Sequence, residues 1–462
     1  MVVPAVVIAA PASGSGKTTV ATGLMGALRR AGHRVGSAKV GPDFIDPGYH
    51  ELATGRPGRN LDPVLVGDEL IGPLYRHGSV GTDITVIEGV MGLFDGRITE
   101  QTLNPAPGST AHVAGLLGAP VILVVDARGQ GQSIAALLHG FSTFGQAVAS
   151  GATGIAPVRI AGVILNRVGT SRHEEVLRQA CEHAGMPVFG AIPRAGELEV
   201  PSRHLGLVTA IEHGRLAHQA VEAMTELVAR HVDLDAVVGA AGIGAVGQPW
   251  QPDIAPVDTK VTVALAAGKA FSFGYSEHTE LLQMAGADVV AFDPLTEGLP
   301  DSAQALVIPG GFPEQFTAEL SANAQVRQQI ATLAAGGAPV HAECAGLTYL
   351  VDDLDGHPMC GVLAGSAAFT PRLTLGYRDA VAVADSSMYV AGQRVVGHEF
   401  HRTAVEFSDA CEPAWAFRGA GGATVRDGAV RAGVHAAYLH THPAAHPHSV
   451  RRFVSAATKL AE

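Results

Sequence analysis

The stretch Pro11-Ala-Ser-Gly-Ser-Gly-Lys-Thr18 decides how the first part of this chain folds. It follows the apolar run of residues 2–10, which is typical of a central parallel strand covered on both faces. A helix is predicted over residues 18–30, where leucines recur on one face before a glycine ends the pattern. A glycine-rich turn between a strand and a helix N-terminus binds phosphate through its backbone N–H groups. The stretch therefore predicts an α/β domain that has a parallel sheet and binds a nucleotide.

The residues of this loop have separate predicted tasks. The Lys17 ammonium group would reach the outer phosphates of ATP, and the Thr18 hydroxyl group would bind Mg²⁺. The standard pattern begins with glycine, whereas this loop has Pro11 at that place, so the loop is a variant. An ordinary turn rich in serine and glycine is the alternative interpretation. The residues predicted to contact the nucleotide are Ser13, Gly14, Ser15, Gly16, Lys17, Thr18 and Thr19.

Polar side chains follow three further predicted strands. Short apolar runs predict these strands, and the polar residues that follow them are Glu88, Asp126 and Asn166. In open α/β sheets, ligands gather at the carboxyl ends of the strands, so these side chains are expected at one site. Asn166 is predicted to bind the base of the nucleotide, and the cap of a turn is the alternative role for it.

Acidic residues and one lysine are predicted to lie beside the phosphates. They come from Lys39-Val-Gly-Pro-Asp-Phe-Ile-Asp46 and from Ile87-Glu-Gly-Val-Met-Gly-Leu-Phe-Asp95. Mg²⁺ prefers one or two carboxylates together with a hydroxyl group and phosphate oxygens. The predicted metal ligands are Thr18, Asp43 and Glu88, and the predicted substrate contacts are Asp46 and Asp95. Lys39 is predicted to be catalytic, near a substrate carboxylate or the transferred phosphate. The alternatives are carboxylates that cap turns and a solvated lysine.

A change of composition separates two domains. Residues 236–257 are rich in glycine and alanine and then in proline, which predicts an interdomain linker. The first domain is predicted to cover residues 1–235, and the second residues 258–462. Apolar, strand-like runs recur in the later half of the chain, so a second α/β domain is predicted there.

A cysteine in the second domain has the surroundings of a nucleophile. In Pro339-Val-His-Ala-Glu-Cys344-Ala-Gly-Leu-Thr348, an apolar strand runs into small residues and then into a helix-like segment. Such an elbow presents a nucleophile at a helix N-terminus, which also favours the thiolate. The backbone N–H groups of Gly311 and Ala345 are predicted to form an oxyanion hole, and His440 is the predicted base. A buried and inert cysteine is the alternative interpretation.

Composition and charge exclude several classes of function. The chain has 462 residues, 47% of them hydrophobic, which fits compact domains and not a disordered protein. Its formal net charge of −12 disfavours binding to nucleic acid or to an anionic membrane. The four cysteines have no paired C-x-x-C spacing, which indicates a reduced, cytoplasmic protein. The apolar runs are too short or too interrupted to predict a membrane span.

These motifs, in this order, resemble the cobyrinic acid a,c-diamide synthase family of corrinoid biosynthesis, whose members include enzymes that make the cobalt-free hydrogenobyrinic acid a,c-diamide. The resemblance covers nearly the whole chain. The most specific stretches are Lys39-Val-Gly-Pro-Asp-Phe-Ile-Asp-Pro-Gly48 and Gly397-His-Glu-Phe-His401. The resemblance implies an N-terminal domain similar to dethiobiotin synthetase and a C-terminal class I glutamine amidotransferase domain with an α/β fold.

The resemblance also implies an activity. It implies a ligase that uses ATP and glutamine to amidate the a and c acetate carboxylates of cobyrinic or hydrogenobyrinic acid through acyl phosphates. The implied partners are this corrinoid polyacid and L-glutamine, and a homodimer is left open. Cys344 is then the residue that forms a thioester with glutamine, and His440 is its activating base. Many class I amidotransferases have a glutamate two residues after the histidine, but this chain has His442 there, so no third member is predicted from this tail.

Three other functions compete with this one. The first is the same reaction on another tetrapyrrole, such as nickel-sirohydrochlorin, which the motifs do not separate. The second, of a different class, is a partitioning-type ATPase that makes no amide. The loop of such an ATPase has a lysine five places before Lys17, where this chain has Ala12, and it has no need of Cys344. The third is a biotin-pathway ligase without glutaminase activity, which would leave the second domain unexplained.

Overall fold

The structure is a computed structural model that describes residues 2–98, 105–147, 155–194, 209–244 and 246–459. The chain divides into two compact units, Met1–Gln251 and Pro252–Glu462. The division falls within the segment predicted to be a linker, residues 236–257. The first residues of that segment belong to a helix that ends at Ala240, so regular structure continues into the predicted linker. The exact limits of the two domains remain a prediction.

A parallel sheet forms the centre of the first unit. Its strands are β1 (Ala5–Ala9), β2 (Val35–Val40), β3 (Asn60–Leu61), β4 (Ile84–Glu88), β5 (Val121–Asp126), β6 (Ile160–Val168) and β7 (Val188–Pro193). Among the described residues they lie in the order β3-β2-β4-β1-β5-β6-β7, and each neighbouring pair is parallel. Every residue of β1 and β4 is buried, as expected of apolar strands covered on both faces.

Helices flank and connect these strands. They are α1 (Lys17–Arg30), α2 (Asp46–Thr54), α3 (Pro63–Val66), α4 (Asp68–Gly78), α5 (Thr110–Leu117), α6 (Ile134–Ala147), α7 (Ser171–His183), α8 (Ala210–His213), α9 (Arg215–His231) and α10 (Leu234–Ala240). α1 packs against α9 at Gly23 and Gly26, where an added Cβ would overlap the Met224 carbonyl and the Thr225 side chain. These glycines therefore allow the close packing of the helix that begins at the phosphate loop.

The strand order places the phosphate loop between two predicted site residues. β1 pairs with β4 on one side and with β5 on the other. Because all three strands are parallel, the carboxyl end of β1 lies between Glu88, which ends β4, and Asp126, which ends β5. This is the edge of the sheet at which ligands bind in open α/β folds.

The second unit contains two sheets. Its strands are β8 (Val261–Ala266), β9 (Ala287–Phe292), β10 (Ala305–Ile308), β11 (Val340–Glu343), β12 (Asp353–Leu354), β13 (His357–Pro358), β14 (Gly365–Ala382), β15 (Arg394–Phe407), β16 (Trp415–Arg418), β17 (Thr424–Asp427), β18 (Ala429–Arg431), β19 (Val434–Ala437) and β20 (His440–Thr441). Within the described part of the chain, the first sheet has the order β18-β19-β11-β10-β8-β9. It is parallel except at β18, an antiparallel edge strand.

Helices connect and flank the strands of this unit. They are α11 (Ser276–Met284), α12 (Thr317–Ala322), α13 (Ala324–Ala335), α14 (Ala345–Leu350) and α15 (Pro447–Thr458). β11, β10 and α14 share an apolar core, to which Leu306, Val340 and Leu347 belong. Cys344 belongs to this core and lies between the end of β11 and the beginning of α14. The strand and the helix that were expected around the cysteine are therefore both present.

The second sheet of this unit is mostly antiparallel, and its long hairpin was not predicted. β14 has 18 residues and β15 has 14, and they pair with an irregularity between Phe369 and Thr374. β20 pairs with β15 so that His440 lies opposite His398. This sheet thus brings the predicted base and the Gly397–His401 stretch to adjacent strands. The mixed α/β class predicted for the second unit is confirmed.

In the parts of the chain that the structure describes, no helix is both long and apolar enough to cross a membrane.

Candidate active sites

The phosphate loop is shaped by two glycines and held by an asparagine. Gly14 and Gly16 have φ angles of 79° and 95°, in the region that favours glycine. A Cβ at Gly16 would also overlap the side-chain nitrogen of Asn166. That nitrogen donates to the Ser15 carbonyl at 2.9 Å, and the Asn166 oxygen accepts from the Arg167 N–H at 2.9 Å. Asn166 therefore fixes the loop from the end of β6, and its predicted contact with the base remains a prediction.

Lys17 lies deep in the loop. Its Nζ donates to the Met91 carbonyl at 2.5 Å, and its side chain is largely buried. Burial, and then the nearby ammonium group of Lys39, lower the pKa of Lys17 from its ordinary value, while carboxylates that include Asp95 oppose this. The Asp95 carboxylate accepts a 3.0 Å hydrogen bond from the Gly92 N–H. Lys17 and the predicted substrate contact Asp95 are thus close enough to interact electrostatically.

Glu88 is the centre of a buried network. One carboxylate oxygen accepts from the Thr18 hydroxyl at 2.5 Å and from Lys39 Nζ at 2.9 Å. The other oxygen lies 2.7 Å from His50 Nε2. Burial alone would raise the pKa of Glu88, but Lys39, His50 and the Thr18 hydroxyl lower it below its ordinary value. Glu88 is therefore ionised in the folded protein, and sequence reasoning missed its partner His50.

The two aspartates of the second motif occupy different places. Asp46 lies 2.6 Å from Lys39 Nζ and 3.4 Å from the Thr18 hydroxyl oxygen. Asp43 is 3.9 Å from Lys39 Nζ, and its other oxygen accepts from the Ile45 N–H at 2.7 Å. The structure thus brings Asp46 closer to Lys39 Nζ than it brings Asp43. Because α2 begins at Asp46, this side chain projects from the first turn of a helix.

The pKa values of Lys39 and Asp46 depend on the charged groups buried around them. Burial opposes a charge on Lys39, but Asp46 and Glu88 together raise the pKa of this residue above its ordinary value. Burial, and then Asp43 and Glu88, raise the pKa of Asp46. Carboxylate and hydroxyl oxygens that crowd together in this way are ligands that Mg²⁺ prefers. Among the described residues, however, no three or more His, Cys, Asp or Glu side chains form a metal-binding group on their own.

An arginine of β6 contacts the phosphate loop. Arg167 donates to the Gly14 carbonyl at 2.8 Å and pairs with Asp126 at 2.5 Å. Its φ angle of 60° is unusual for a residue other than glycine. Arg128 also pairs with Asp126, at 2.8 Å. These contacts connect the ends of β5 and β6 to the phosphate loop.

Cys344 has the backbone geometry of a nucleophile elbow. Its φ and ψ angles are 50° and −100°, which is strained for a residue with a side chain. Its N–H donates to the Ala437 carbonyl at 2.7 Å, and its Sγ lies 3.7 Å from the Phe400 carbonyl oxygen. Burial, and then the charge of Glu314, raise the pKa of the Cys344 thiol, whereas the Ala345 N–H opposes the rise. The thiol therefore needs a base in order to react.

Glycines make room around this elbow. A Cβ at Gly310 would overlap the His440 ring, and a Cβ at Gly311 would overlap the Ala270 carbonyl. A Cβ at Gly346 would overlap the carbonyl of Ile308 at the end of β10. The loop after β10, the cysteine elbow and the histidine are therefore packed together. The oxyanion hole predicted from Gly311 and Ala345 remains a prediction.

His440 is held by a residue that sequence reasoning missed. Its Nδ1 lies 3.3 Å from one carboxylate oxygen of Glu343, the residue directly before Cys344. The other oxygen of Glu343 accepts from the Thr441 N–H at 3.2 Å. The available signal was an acidic residue at the carboxyl end of a predicted strand, directly before the cysteine. His442 lies elsewhere: it is buried and stacks on Tyr275 with ring centroids 4.2 Å apart.

The two units match two domain families. Residues 6–208 match the CobQ/CobB/MinD/ParA nucleotide binding domain, and residues 262–448 match the CobB/CobQ-like glutamine amidotransferase domain. This confirms the predicted fold class and the prediction that the chain binds a nucleotide. It also explains the cysteine-bearing second unit, which a partitioning-type ATPase would not.

Relatives of known name cover almost the whole chain. The hydrogenobyrinate a,c-diamide synthase of Mycobacterium tuberculosis (strain ATCC 25618 / H37Rv) is 69% identical over 98% of this chain and 98% of the relative. The hydrogenobyrinate a,c-diamide synthase of Streptomyces coelicolor is 53% identical over 98% of this chain and 97% of the relative. The cobyrinate a,c-diamide synthase of a Synechococcus species is 36% identical over 98% of both chains. The chain therefore belongs to the family of cobyrinate and hydrogenobyrinate a,c-diamide synthases.

Proposed function

We propose that this protein is a ligase that uses ATP and glutamine to convert the a and c acetate carboxylates of hydrogenobyrinic acid to amides. The observation that carries the proposal is the presence, in one chain, of a phosphate loop beside buried carboxylates and of a strained cysteine elbow. The relatives at 69% and 53% identity are named for the cobalt-free substrate, whereas the relative at 36% is named for cobyrinate. The cobalt-free corrinoid is therefore the proposed preferred substrate.

The first unit is proposed to activate the carboxylate. A carboxylate is a poor electrophile, and transfer of the γ-phosphoryl group of ATP to one of its oxygens forms an acyl phosphate and releases ADP. Ammonia then bonds to the acyl carbon, and phosphate leaves with the carboxylate oxygen. Lys17 and Lys39 neutralise charge during the transfer, which depends mainly on positioning and electrostatics. Asp46 and Asp95 are the proposed substrate contacts, and Asn166 is the proposed contact with the base.

Mg²⁺ is the proposed companion of ATP in this unit. The Thr18 hydroxyl and Glu88 carboxylate, 2.5 Å apart, supply the hard oxygen atoms that this ion prefers. Asp43 is the third predicted ligand, and the Asp46 carboxylate lies nearby, 3.4 Å from the Thr18 hydroxyl oxygen. When bound, the ion would supply positive charge that neutralises the phosphate oxygens.

The second unit is proposed to supply the ammonia. The Cys344 sulfur attacks the side-chain carbonyl carbon of glutamine, and His440 accepts the thiol proton and passes it to the leaving nitrogen. Ammonia leaves, and water then hydrolyses the thioester to glutamate. The N–H groups of Gly311 and Ala345 are the proposed donors to the developing oxyanion.

A mass assay tests the whole proposal. The full chain is incubated with hydrogenobyrinic acid, ATP, Mg²⁺ and glutamine, and the corrinoid is followed by mass spectrometry while glutamate and ADP are measured. We expect the mass to fall by about one unit per amide, twice, with one ADP formed for each amide. Cobyrinic acid and nickel-sirohydrochlorin are run in parallel, and the values of kcat/KM for the three substrates are compared.

The outcomes separate the alternatives. A higher kcat/KM for hydrogenobyrinic acid than for cobyrinic acid supports the proposed preference, and the reverse order overturns it. Amidation of nickel-sirohydrochlorin alone would assign the chain to a different tetrapyrrole. ATP hydrolysis without any change in corrinoid mass or any release of glutamate would overturn the proposed ligase.

A further inference from the structure

The buried surroundings of His440 contain a carboxylate in an unusual position in the chain. Glu343 is the last residue of β11, and Cys344 follows it at the elbow. In β11 this residue is in register with Ala437 of β19, and the chain continues from there to His440. Pairing of two parallel strands therefore brings the residue before the cysteine next to the predicted base. The side chain of Glu343 is only 12% exposed.

Each carboxylate oxygen of Glu343 has its own partners. Oε2 lies 3.3 Å from His440 Nδ1. Oε1 accepts from the Thr441 N–H at 3.2 Å and from the Thr441 hydroxyl at 3.3 Å, and it lies 3.3 Å from His341 Nε2. The Thr441 hydroxyl is itself 2.9 Å from the Tyr389 hydroxyl. Three contacts thus fix one oxygen and leave the other directed at the imidazole ring.

The charge on this carboxylate is retained despite burial. Burial would raise the pKa of Glu343, but hydrogen bonds from His341 and His440 lower it below its ordinary value. Burial and the neighbouring His341 lower the pKa of His278 to about 4 and that of His435 to about 3, so both rings are neutral near pH 7. Glu343 is therefore a buried negative charge beside the His440 ring.

We propose that Glu343 is the positioning residue of the glutaminase site: it receives the Nδ1–H of His440, fixes the ring tautomer, and leaves Nε2 to exchange the proton with Cys344 and the leaving nitrogen. In many class I amidotransferases this role belongs to a carboxylate two residues after the histidine. Here the carboxylate comes from the residue directly before the nucleophile. Serine hydrolases use a buried carboxylate on a catalytic histidine in the same way. The inference rests on the proposed glutamine hydrolysis at Cys344.

A purely structural role for Glu343 would have different consequences. If the carboxylate only stabilised the fold, its replacement would lower both the glutamine-dependent and the ammonia-dependent reaction. If it positions His440, only the step that consumes glutamine is affected, and kcat changes more than KM.

Several titratable groups face the pair of Glu343 and His440. They are His341 on β11, His278 on α11, His435 on β19, Tyr389 before β15, His398 on β15, and Cys344 itself.

The test uses the full chain with hydrogenobyrinic acid, ATP, Mg²⁺ and either glutamine or ammonium chloride. Glutamate release is measured from pH 6 to pH 9 for wild type, Glu343→Gln, Glu343→Asp and the control Glu319→Gln, an exposed glutamate on α12. We expect Glu343→Gln to lower kcat for glutamine by roughly 100-fold or more, with KM changed by less than about threefold. Amidation from ammonium chloride stays at the wild-type rate in all four proteins.

The conservative variant Glu343→Asp and the pH profile distinguish positioning of His440 from a purely structural role. Glu343→Asp keeps the charge but shortens the reach to the ring, so kcat should fall about tenfold and lie well above that of Glu343→Gln. The pH profile of kcat/KM should change in Glu343→Gln, because the ring of His440 loses its charged neighbour, and it should keep its wild-type shape in Glu343→Asp.

Several results would overturn the inference. One is a kcat of Glu343→Gln within about threefold of wild type. Another is a Glu343→Asp variant with the full wild-type kcat, which decides the question even if Glu343→Gln does not fold. Equal loss of the ammonium and glutamine reactions in both variants would make Glu343 a structural residue. Absence of glutamate release by the wild-type protein would instead overturn the proposed function.

Discussion

Thr18 and Glu88 are 70 residues apart in the chain, yet the Thr18 hydroxyl donates a 2.5 Å hydrogen bond to the Glu88 carboxylate. The contact exists because β1 and β4 are adjacent parallel strands, so the loop after one strand meets the last residue of the other. The same carboxylate contacts Lys39 and His50. One buried glutamate thus connects the phosphate loop, the strand-end lysine and α2.

Replacement of Glu88 tests this connection. In Glu88→Gln, we expect amidation to fall at least 100-fold from either nitrogen source, because a proposed Mg²⁺ ligand and a partner of Lys39 are lost together. The free energy of unfolding should fall by roughly 3 kcal/mol, since a buried charge loses one of its partners. Both quantities are measured, by corrinoid mass and by urea denaturation, at several Mg²⁺ concentrations.

A control variant separates the site from the general loss of charge. Glu182→Gln changes an exposed glutamate on α7 in the same unit, and it should leave both amidation and stability unchanged. If Glu88→Gln amidates at the wild-type rate at every Mg²⁺ concentration, the proposed role of the buried cluster in the reaction is wrong.

Lys17 should be required by both nitrogen sources. Lys17→Ala removes a cation that is proposed to neutralise the outer phosphates, so amidation from glutamine and from ammonia should both fall by about 1000-fold. Glutamate release at Cys344 should persist at a low level, because it takes place in the other unit. The exposed Lys260→Ala variant is the control. An unchanged amidation rate in Lys17→Ala would contradict the proposed role of the loop.

Sequence reasoning succeeded where the signal is local. The phosphate loop joins an apolar strand to a helix, and each of these elements is defined by adjacent residues, so β1 and α1 were predicted within a few residues. The carboxyl ends of parallel strands meet by geometry, which allowed Glu88 to be expected beside the loop before its partners were known.

Contacts between distant segments escaped prediction. The β14–β15 hairpin depends on pairing of two long strands that contain glycine and polar residues and have no simple alternation. Glu343 was overlooked as a partner of His440 because that contact requires β11 and β19 to be neighbours. Asp46 lies closer to Lys39 Nζ than Asp43 does, and it begins α2, details that spacing alone does not provide.

Cys344 should be required for glutamine alone. In Cys344→Ala the thioester cannot form, so glutamate release and glutamine-dependent amidation should be lost, whereas amidation from ammonia should continue at the wild-type rate. Cys411→Ala changes a cysteine that is partly exposed and should behave as wild type. Measurement of glutamate and corrinoid mass in parallel shows the difference. Normal use of glutamine by Cys344→Ala would mean that another residue is the nucleophile.

Crowding of His440, like the loss of Cys344, should lower the glutamine-dependent reaction and spare the ammonia-dependent one. In Gly310→Ala the new Cβ would overlap the His440 ring, so the ring must shift. A shift of about 1 Å costs on the order of 100-fold in rate, and we expect this loss in kcat for glutamine but not for ammonia. Gly274→Ala is the matched control, because a Cβ there meets no atom within 4 Å. Full glutaminase activity in Gly310→Ala would show that the His440 position is not critical.

Asp427, whose carboxylate binds the backbone just before His440, should make the stability of the protein depend on pH. Asp427 is buried at the end of β17 and accepts the N–H groups of Tyr438 and Leu439. Burial, and then the charge of Glu399, raise the pKa of Asp427 to about 6 from an ordinary value of 3.8, although the two N–H donors oppose this. Between pH 3.8 and pH 6, the folded protein therefore keeps a proton on Asp427 that the unfolded chain has released. The stability that this proton provides is lost as pH rises through 6.

Asp427→Asn should remove that dependence. Between pH 4.5 and pH 7.5 the wild-type protein should lose roughly 2–3 kcal/mol that the uncharged variant keeps, so the unfolding midpoint of the variant, relative to wild type, should rise with pH. Differential scanning calorimetry at a series of pH values measures this difference. Asp409→Asn, at an exposed position, should show no trend. A difference that is flat or that falls with pH would mean that Asp427 is already ionised at pH 4.5, held by its two N–H donors.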